Sequence, residues 1–168
     1  VTKEQNTPLD EGNIIMTCGA GGALNVTLKT ILNPGEEVII LTPFFVEYKF
    51  YVDNHGGTTT EVWTDPETFQ PDIAAIESAI TDNTRAIIIN SPNNPSGTVY
   101  TEEEYRALAK VLEKHPQIYI LSDEIYEHIN YGLGNFSFAA IESMYDRTIT
   151  VNGVAKAFAM TGWRIGYI

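Results

Sequence analysis

The chain has 168 residues, the size of one ordinary domain, and 43% of them are hydrophobic while 19% are charged. This composition excludes a disordered chain, which would be poor in apolar and aromatic residues. The formal net charge of −12 argues against a nucleic-acid partner, because an acidic surface repels phosphate groups.

The sequence carries signals of its cellular compartment. A single cysteine, Cys18, cannot form an internal disulfide, which is typical of a reducing environment. The N-terminal residues lack the basic start and apolar stretch of a signal peptide. No apolar run approaches the roughly 20 residues of a membrane-spanning helix. We therefore expect a cytoplasmic protein with no membrane partner.

Short apolar runs alternate with helical patterns along the chain. Several runs are continuous and rich in β-branched residues, as expected for strands buried on both faces of a parallel sheet. In chain order, the predicted elements are strand Ile14–Thr17, helix Ala23–Leu32, strand Glu37–Leu41, helix Phe45–Asn54, strand Thr58–Trp63, helix Asp72–Ile80, strand Ala86–Ile89, a helix from Thr101 to about Lys114, and strands Ile118–Leu121, Thr148–Val151 and Ile165–Ile168.

This alternation predicts an α/β fold with three layers, in which a mostly parallel sheet lies between helices. No repeat or long linker interrupts it, so residues 1–168 are expected to form a single domain. Such sheets bind ligands outside the carboxyl ends of their strands. The residues that follow the predicted strands are therefore the site candidates, and they include Gly19–Gly22, Phe45, Asn94, Asp123, Tyr126 and Lys156.

The glycine-rich segment Gly19-Ala20-Gly21-Gly22 lies between a predicted strand and a predicted helix. Its small residues allow backbone N–H groups to approach an anion, and a helix start adds partial positive charge. It does not match the dinucleotide pattern GxGxxG, because position 24 is Leu24, and no Walker lysine follows. Taken alone, the segment is equally well a phosphate cradle or a tight turn.

Lys156 is the only charged residue between Arg147 and Arg164. A lysine among apolar and small residues is expected to lose its proton more easily, because burial disfavours the ammonium form. A neutral amine can attack an aldehyde. For a lone lysine, extension from a loop into solvent is the commoner alternative.

Each remaining candidate also has a functional and a structural interpretation. Asp123 can hold a protonated ring nitrogen or cap the next turn. Tyr126 can reach the same ligand or belong to the core. Arg164 can bind a phosphate with its planar fork or form a surface ion pair. Phe45 can stack on a planar ring or belong to an apolar helix face, and Asn94 can serve a ligand or simply its own turn.

Three segments together resemble the class I/II aminotransferases, which are pyridoxal-phosphate enzymes of fold type I. They are SPNNPSG at 91–97, SDEIY at 122–126 and KAFAMTGWRIGY at 156–167, in the order and at the spacing of that family. The segments at 33–38 and 43–48 are also similar to the family. The resemblance extends from about Ile14 to Ile168 and implies the large domain of a pyridoxal-phosphate-dependent transferase.

The resemblance implies a role for each candidate. Lys156 would bind the aldehyde of pyridoxal 5′-phosphate and then move a proton, Asp123 would pair with the ring nitrogen, and Tyr126 would donate to the phenolic oxygen; these three are the implied catalytic residues. Tyr48 would lie behind Asp123. No metal ligand is implied. The implied cofactor-binding residues are Ala20, Gly21, Phe45, Asn94, Asp123, Tyr126, Lys156 and Arg164.

Two positions depart from the family pattern. Ala155 stands where a serine commonly precedes the lysine, and Gly153 stands where a hydroxyl often binds the phosphate. Both departures concern the phosphate, and they leave the lysine, aspartate and arginine in place.

Family members are much longer than this chain. The resemblance therefore implies the central part of the large domain, without the N-terminal segment and the C-terminal small domain, and we expect this fragment alone to be inactive. The full-length protein is expected to be a homodimer whose substrates are an amino acid and a 2-oxo acid such as 2-oxoglutarate.

Aspartate is the expected amino donor, because MTGWRIGY at 160–167 resembles the bacterial and archaeal aspartate aminotransferases. Aromatic amino acids, alanine and kynurenine remain open as donors. So do two other functions: a different pyridoxal-phosphate reaction (a C–S β-lyase or an aminocyclopropane-carboxylate synthase-like enzyme), and a noncatalytic nucleotide-binding module.

Overall fold

A computed structural model describes residues 6–132 and 134–168. In this part of the chain, seven strands form one sheet in the order β1-β7-β6-β5-β4-β2-β3. The strands are β1 (Met16–Cys18), β2 (Glu37–Thr42), β3 (Thr58–Trp63), β4 (Thr84–Asn90), β5 (Tyr119–Asp123), β6 (Thr148–Gly153) and β7 (Ile165–Tyr167). The α-helices are α1 (Gly19–Ile31), α2 (Glu47–Asn54), α3 (Ile73–Ala79) and α4 (Glu102–Leu112).

The sheet is mostly parallel. Strands β2 to β6 pair in parallel, whereas β7 is antiparallel to both β1 and β6. In the register of the central strands, Asn90 lies opposite Asp123, and Asp123 lies opposite Val151. The carboxyl ends of β4, β5 and β6 therefore meet at one edge, where the sequence places most of its candidates.

Helices cover both faces of the sheet, because successive strand residues point to opposite sides. Ile39 and Leu41 of β2 belong to one buried cluster with residues of α3 and α4, while Val38 and Ile40 belong to another with residues of α1 and α2. Full burial stabilises each such side chain by about 1.5–3 kcal/mol relative to exposure. The three-layer α/β architecture that the sequence predicts is confirmed.

Local sequence signals explain where two helices begin. Thr101 and Glu104 form the predicted capping box before α4: each side chain accepts a hydrogen bond from the other residue's backbone N–H. Asp72 precedes α3, and its side chain accepts a hydrogen bond from the N–H of Ala75. These caps satisfy backbone donors that a helix start leaves without partners.

The prediction was wrong about the glycine-rich segment, which is the first turn of α1 and not a connection before it. Helix α1 begins at Gly19, four positions before the predicted start at Ala23. Gly19 has a φ of +71°, a left-handed conformation that glycine adopts without steric cost. The chain therefore enters the helix directly from β1, and the N–H groups of this segment belong to a helix N-terminus.

Strand boundaries differ from the predictions at their polar ends. Strand β1 begins at Met16, because Ile14 closes a short 3-10 turn at Glu11–Asn13. Strands β4, β5 and β6 extend to Asn90, Asp123 and Gly153, beyond the apolar runs. No helix within the described ranges has the length and apolar character needed to cross a membrane. The N-terminal residues inspected for a signal peptide lie partly outside those ranges.

Candidate active site

Asp123, the last residue of β5, is a buried carboxylate at the carboxyl edge of the sheet. Its Oδ2 accepts a 2.6 Å hydrogen bond from the Tyr48 hydroxyl, and its Oδ1 accepts one of 3.2 Å from the N–H of Ile125. Burial raises the pKa of Asp123, although these hydrogen bonds and the charge of Lys156 oppose the rise. The position of Tyr48 behind Asp123 is the one that the resemblance implies.

Asn90 connects Asp123 with the turn that contains Asn94. Its Nδ2 donates a 2.9 Å hydrogen bond to the carbonyl of Asp123, and its Oδ1 accepts one of 2.8 Å from the N–H of Asn94. No role for Asn90 was predicted from the sequence. The sequence shows an amide side chain at the end of an otherwise apolar strand, but its hydrogen-bond partners cannot be identified from the local sequence.

The structure brings Asn94, Tyr126 and Lys156 together. The Nδ2 of Asn94 donates a long hydrogen bond of 3.4 Å to the Tyr126 hydroxyl. The Nζ of Lys156 lies 5.6 Å from the centre of the Tyr126 ring, within reach of a cation–π interaction. Three residues from the ends of three neighbouring parallel strands thus surround one point on the sheet edge.

Of the two interpretations of Lys156 that the sequence left open, the structure agrees with extension from a loop and not with burial among apolar residues. Lys156 is exposed and lies in a turn that follows the carboxyl end of β6. Its amine contacts the face of an aromatic ring in place of an apolar pocket.

Arg164 lies against the N-terminus of α1, next to the glycine-rich turn. A Cβ atom added to Gly19 would stand 2.7 Å from Nη2 of Arg164, so the guanidinium occupies the space that a side chain there would need. The Nη1 of Arg164 donates a 3.2 Å hydrogen bond to the carbonyl of Thr161. A guanidinium beside the first N–H groups of a helix forms an environment suited to a phosphate.

Tyr51 is a further residue at this helix start, and sequence analysis missed it. Its hydroxyl donates a hydrogen bond to Glu47, and a Cβ atom on Gly21 would stand 2.8 Å from that hydroxyl oxygen. Burial raises the pKa of Tyr51, and the charge of Arg164 opposes the rise. A signal was present, because Tyr48 and Tyr51 are three positions apart and share one face of α2.

Phe45 lies next to Tyr48. Its ring contacts that of Tyr48 edge-on, with ring centres 5.6 Å apart and an angle of 84°. Phe45 thus neighbours the residue that holds Asp123, and its stacking on a planar ligand stays a prediction.

A family model, "Aminotransferase class I and II", matches the chain over residues 1–168. The chain belongs to this family. The resemblance identified from the sequence is thereby confirmed, and members of this family are pyridoxal-phosphate-dependent enzymes.

Similar proteins are aminotransferases from bacteria and archaea. A probable aspartate/prephenate aminotransferase of Thermus aquaticus is 48% identical over 98% of this chain, and the match covers 43% of that relative. An aromatic-amino-acid aminotransferase of Thermococcus litoralis is 43% identical over 92% of this chain and 40% of its own length. The chain thus spans less than half the length of these relatives.

Solved structures show the same similarity. The aspartate aminotransferase of Thermus thermophilus with maleate superposes with a TM-score of 0.94 at 46% identity, over 99% of this chain and 43% of that one. The aspartate aminotransferase of Rhizobium meliloti gives 0.96 at 40% identity, over 99% and 42%. The α/β fold of this aminotransferase chain is therefore that of a part of larger enzymes.

Proposed function

We propose that this chain is the central part of the cofactor-binding large domain of a transaminase. The protein would transfer an amino group from an amino acid, with aspartate as the expected donor, to a 2-oxo acid such as 2-oxoglutarate. The family assignment and the relatives support the reaction class. The single observation that carries the proposal is the placement of Asp123, Tyr126 and Lys156 at the carboxyl ends of the neighbouring strands β5 and β6, with Lys156 over the Tyr126 ring.

The residues present fit pyridoxal phosphate. Asp123 is a buried carboxylate, and a buried anion is best stabilised by a cationic partner such as a protonated ring nitrogen. At the start of α1, Arg164 and the N–H groups of Ala20 and Gly21 form a cationic surface for a phosphate. The Asn94 amide and the Tyr126 hydroxyl are neighbouring neutral hydrogen-bond donors, which fit the phenolic oxygen of the cofactor.

When bound, pyridoxal phosphate supplies an aldehyde that condenses with amines and a ring that accepts electrons from the substrate's Cα. Lys156 is proposed to bind that aldehyde and to move the proton at the substrate's Cα. Asp123 would hold a proton on the ring nitrogen. Tyr126 and Asn94 would donate hydrogen bonds to the phenolic oxygen, and Phe45 would cover the ring face.

The cofactor assignment is tested by absorbance. In a protein of the relatives' length that carries this chain, added pyridoxal phosphate should produce a visible band that borohydride removes, with the cofactor then linked to Lys156 by mass spectrometry. Lys156→Ala should abolish both signals, while Lys110→Ala, an exposed lysine on α4, should retain them. A wild-type protein without the band would contradict the proposal.

The reaction type is tested by product analysis. With aspartate and 2-oxoglutarate, a transaminase forms glutamate and consumes the acceptor in equal amount. A C–S β-lyase would form pyruvate, ammonia and a thiol from a cysteine conjugate without an acceptor. An aminocyclopropane-carboxylate synthase would also need no acceptor, and it would form its ring product. Phenylalanine, alanine and kynurenine as donors, and prephenate as acceptor, complete the comparison, because several similar proteins are named aspartate/prephenate aminotransferase.

Three further proposals concern the protein as a whole. We propose that it is a homodimer located in the cytoplasm, as the resemblance and the lone exposed Cys18 suggest. We also propose that the chain by itself lacks transaminase activity, because it spans only 43% of a relative. Light scattering of the longer protein tests the dimer, and an activity assay of residues 1–168 tests the last proposal.

A further inference from the structure

A buried hydrogen bond joins the turn that carries Tyr126 to the end of β6, just before the turn that carries Lys156. The Nδ2 of Asn152 donates to Oε1 of Glu127 over 2.6 Å. Only 7% of Glu127 and 2% of Asn152 are exposed. Glu127 directly follows Tyr126, and Asn152 lies near the end of β6, in front of the Lys156 turn.

Both partners are held firmly by their own segments. The N–H of Glu127 donates to the carbonyl of Glu124 over 2.9 Å, which closes the turn after β5. The Oδ1 of Asn152 accepts a 2.7 Å hydrogen bond from the N–H of Gly153. The bond between them therefore connects two segments whose backbones are each already fixed.

Two contacts on the same side of the molecule reinforce this connection. The His128 ring contacts that of Phe158 edge-on, with ring centres 6.3 Å apart. Lys156 lies over the ring of Tyr126. Two successive residues after Tyr126 thus contact the segment on either side of Lys156.

Burial of the Glu127 carboxylate costs desolvation free energy, and an apolar side chain would pack in the same place without that cost. His128 is one ionisable neighbour of Glu127, with Nε2 3.5 Å from Oε1, and the carboxylate of Glu124 also interacts with Glu127 electrostatically. A polar link retained in such a place fixes geometry, because a hydrogen bond specifies distance and direction whereas apolar packing tolerates displacement.

We propose that Glu127 and Asn152 are positioning residues that fix the Lys156 turn relative to Tyr126. Neither is placed among the groups proposed to touch the cofactor. Their hydrogen bond keeps the amine of Lys156 over the Tyr126 ring and hence at a defined place on the sheet edge. This inference rests on the function proposed above for Lys156 and Tyr126.

Two variants break the link, and one should preserve it. Glu127→Ala and Asn152→Ala each remove one partner, whereas Glu127→Gln keeps an oxygen that can accept from Asn152. Arg147→Met is the control for lost stability: it removes hydrogen bonds of 2.7–3.1 Å to the carbonyls of Leu112, His115 and Ile118, away from Lys156.

The first measurement needs no cofactor. In the protein of the relatives' length, limiting reductive methylation with peptide mass spectrometry reports the reactivity of the Lys156 amine. We expect labelling to increase several-fold in Glu127→Ala and Asn152→Ala, because the amine leaves the Tyr126 ring. Glu127→Gln and Arg147→Met should label at the wild-type rate.

The second measurement uses the protein saturated with pyridoxal phosphate. The visible circular dichroism per bound cofactor should fall strongly in the two alanine variants and recover in Glu127→Gln, because a loosely held chromophore has no single orientation. With aspartate as donor, kcat should fall about 10- to 100-fold while KM changes little, as for a small displacement of a reacting group.

The outcomes separate the inference from the proposed function. Wild-type labelling and dichroism in both alanine variants would overturn the inference, as would equal changes in Arg147→Met. A wild-type protein that binds no pyridoxal phosphate at Lys156 would overturn the proposed function, and with it the inference built on it. If Glu127→Ala does not fold, Asn152→Ala carries the comparison by itself.

Discussion

The Tyr48 hydroxyl donates a 2.6 Å hydrogen bond to Oδ2 of Asp123, although the two residues are 75 positions apart in the sequence. Tyr48 lies on α2 and Asp123 at the end of β5, and both are almost fully buried. Burial raises the pKa of Tyr48 well above its ordinary value, and the carboxylate of Asp123 adds to the rise. The hydroxyl therefore stays a donor at neutral pH and stabilises the charged form of the carboxylate.

Tyr48→Phe removes this donor and leaves the ring in place. We expect the free energy of unfolding at pH 7 to fall by about 1–3 kcal/mol, because a buried acceptor loses a hydrogen bond. The pKa of Asp123 should rise further, since one of the contacts that lower it is lost. Urea denaturation at pH 7 measures the first effect, and NMR titration of the carboxyl measures the second.

Tyr145→Phe is the matched control for this substitution. The Tyr145 hydroxyl donates a 3.1 Å hydrogen bond to the carbonyl of Pro8 at the surface. Its removal should change the unfolding free energy by no more than about 0.5 kcal/mol. Equal losses in the two variants would show that the bond to Asp123 has no special contribution.

Glu124 makes the stability of the fold depend on pH near neutrality. Burial raises the pKa of Glu124 to about 7, although its carboxylate accepts hydrogen bonds from Ser122 and Ser137. Between pH 4.5 and about 7, the folded chain therefore binds more protons than the unfolded chain does. The resulting stability is present at low pH and is lost as the pH rises through 7.

Glu124→Gln should remove this dependence while keeping an oxygen for the two serine hydroxyls. We expect the unfolding free energy of the variant, relative to that of the wild type, to be about 3 kcal/mol more favourable to the folded state at pH 8 than at pH 5. Denaturation at several pH values measures this difference. Glu77→Gln is the control: Lys114 lowers the pKa of Glu77, so its titration lies below this range and its curve should run parallel to the wild type. A parallel curve for Glu124→Gln would refute the prediction.

The capping box of α4 offers a prediction that depends only on local structure. Thr101→Ala removes the hydroxyl that accepts from the N–H of Glu104, so the unfolding free energy should fall by about 1 kcal/mol. Thermal unfolding measures this loss. Glu103→Ala, an exposed position in the same turn, should change the value by at most about 0.5 kcal/mol. A loss in Thr101→Ala no larger than in this control would contradict the capping role.

The parts of the fold that local sequence determines were predictable. Strand β3 was predicted with its observed bounds, and the buried strands β2, β4 and β5 were located because continuous β-branched runs identify them. Parallel pairing then placed Asn94, Asp123 and Lys156 at one edge, since each follows the carboxyl end of such a strand. The family resemblance identified their chemistry from the same segments.

The remaining features depend on contacts between distant segments. The helical state of Gly19–Gly22 could not be predicted from a segment with three glycines, because glycine normally disfavours helix. The exposure of Lys156 follows from where its turn lies on the sheet edge, which apolar neighbours in sequence do not reveal. The link between Glu127 and Asn152 joins residues 25 positions apart, so no local pattern indicates it.

Gly166 lets β7 lie directly against the start of α1. A Cβ atom at this position would stand 2.4–2.7 Å from backbone atoms of Gly19 and Ala20, closer than real contacts allow. Gly166→Ala must therefore push β7 and the helix N-terminus apart. We expect a loss of about 1–3 kcal/mol in the unfolding free energy, as for overpacking elsewhere.

The same displacement should weaken binding of a phosphate group, because the N–H groups of Ala20 and Gly21 would move relative to Arg164. Fluorescence titration with pyridoxal phosphate should show an affinity reduced several-fold in Gly166→Ala. Gly162→Ala is the matched control, since a Cβ atom there meets nothing within 4 Å. If Gly166→Ala matches Gly162→Ala in unfolding free energy and in affinity, the close approach of β7 does not determine where the phosphate-binding groups lie. If stability falls while affinity is retained, the start of α1 moves together with Arg164, which would contradict the expected displacement of the N–H groups relative to Arg164.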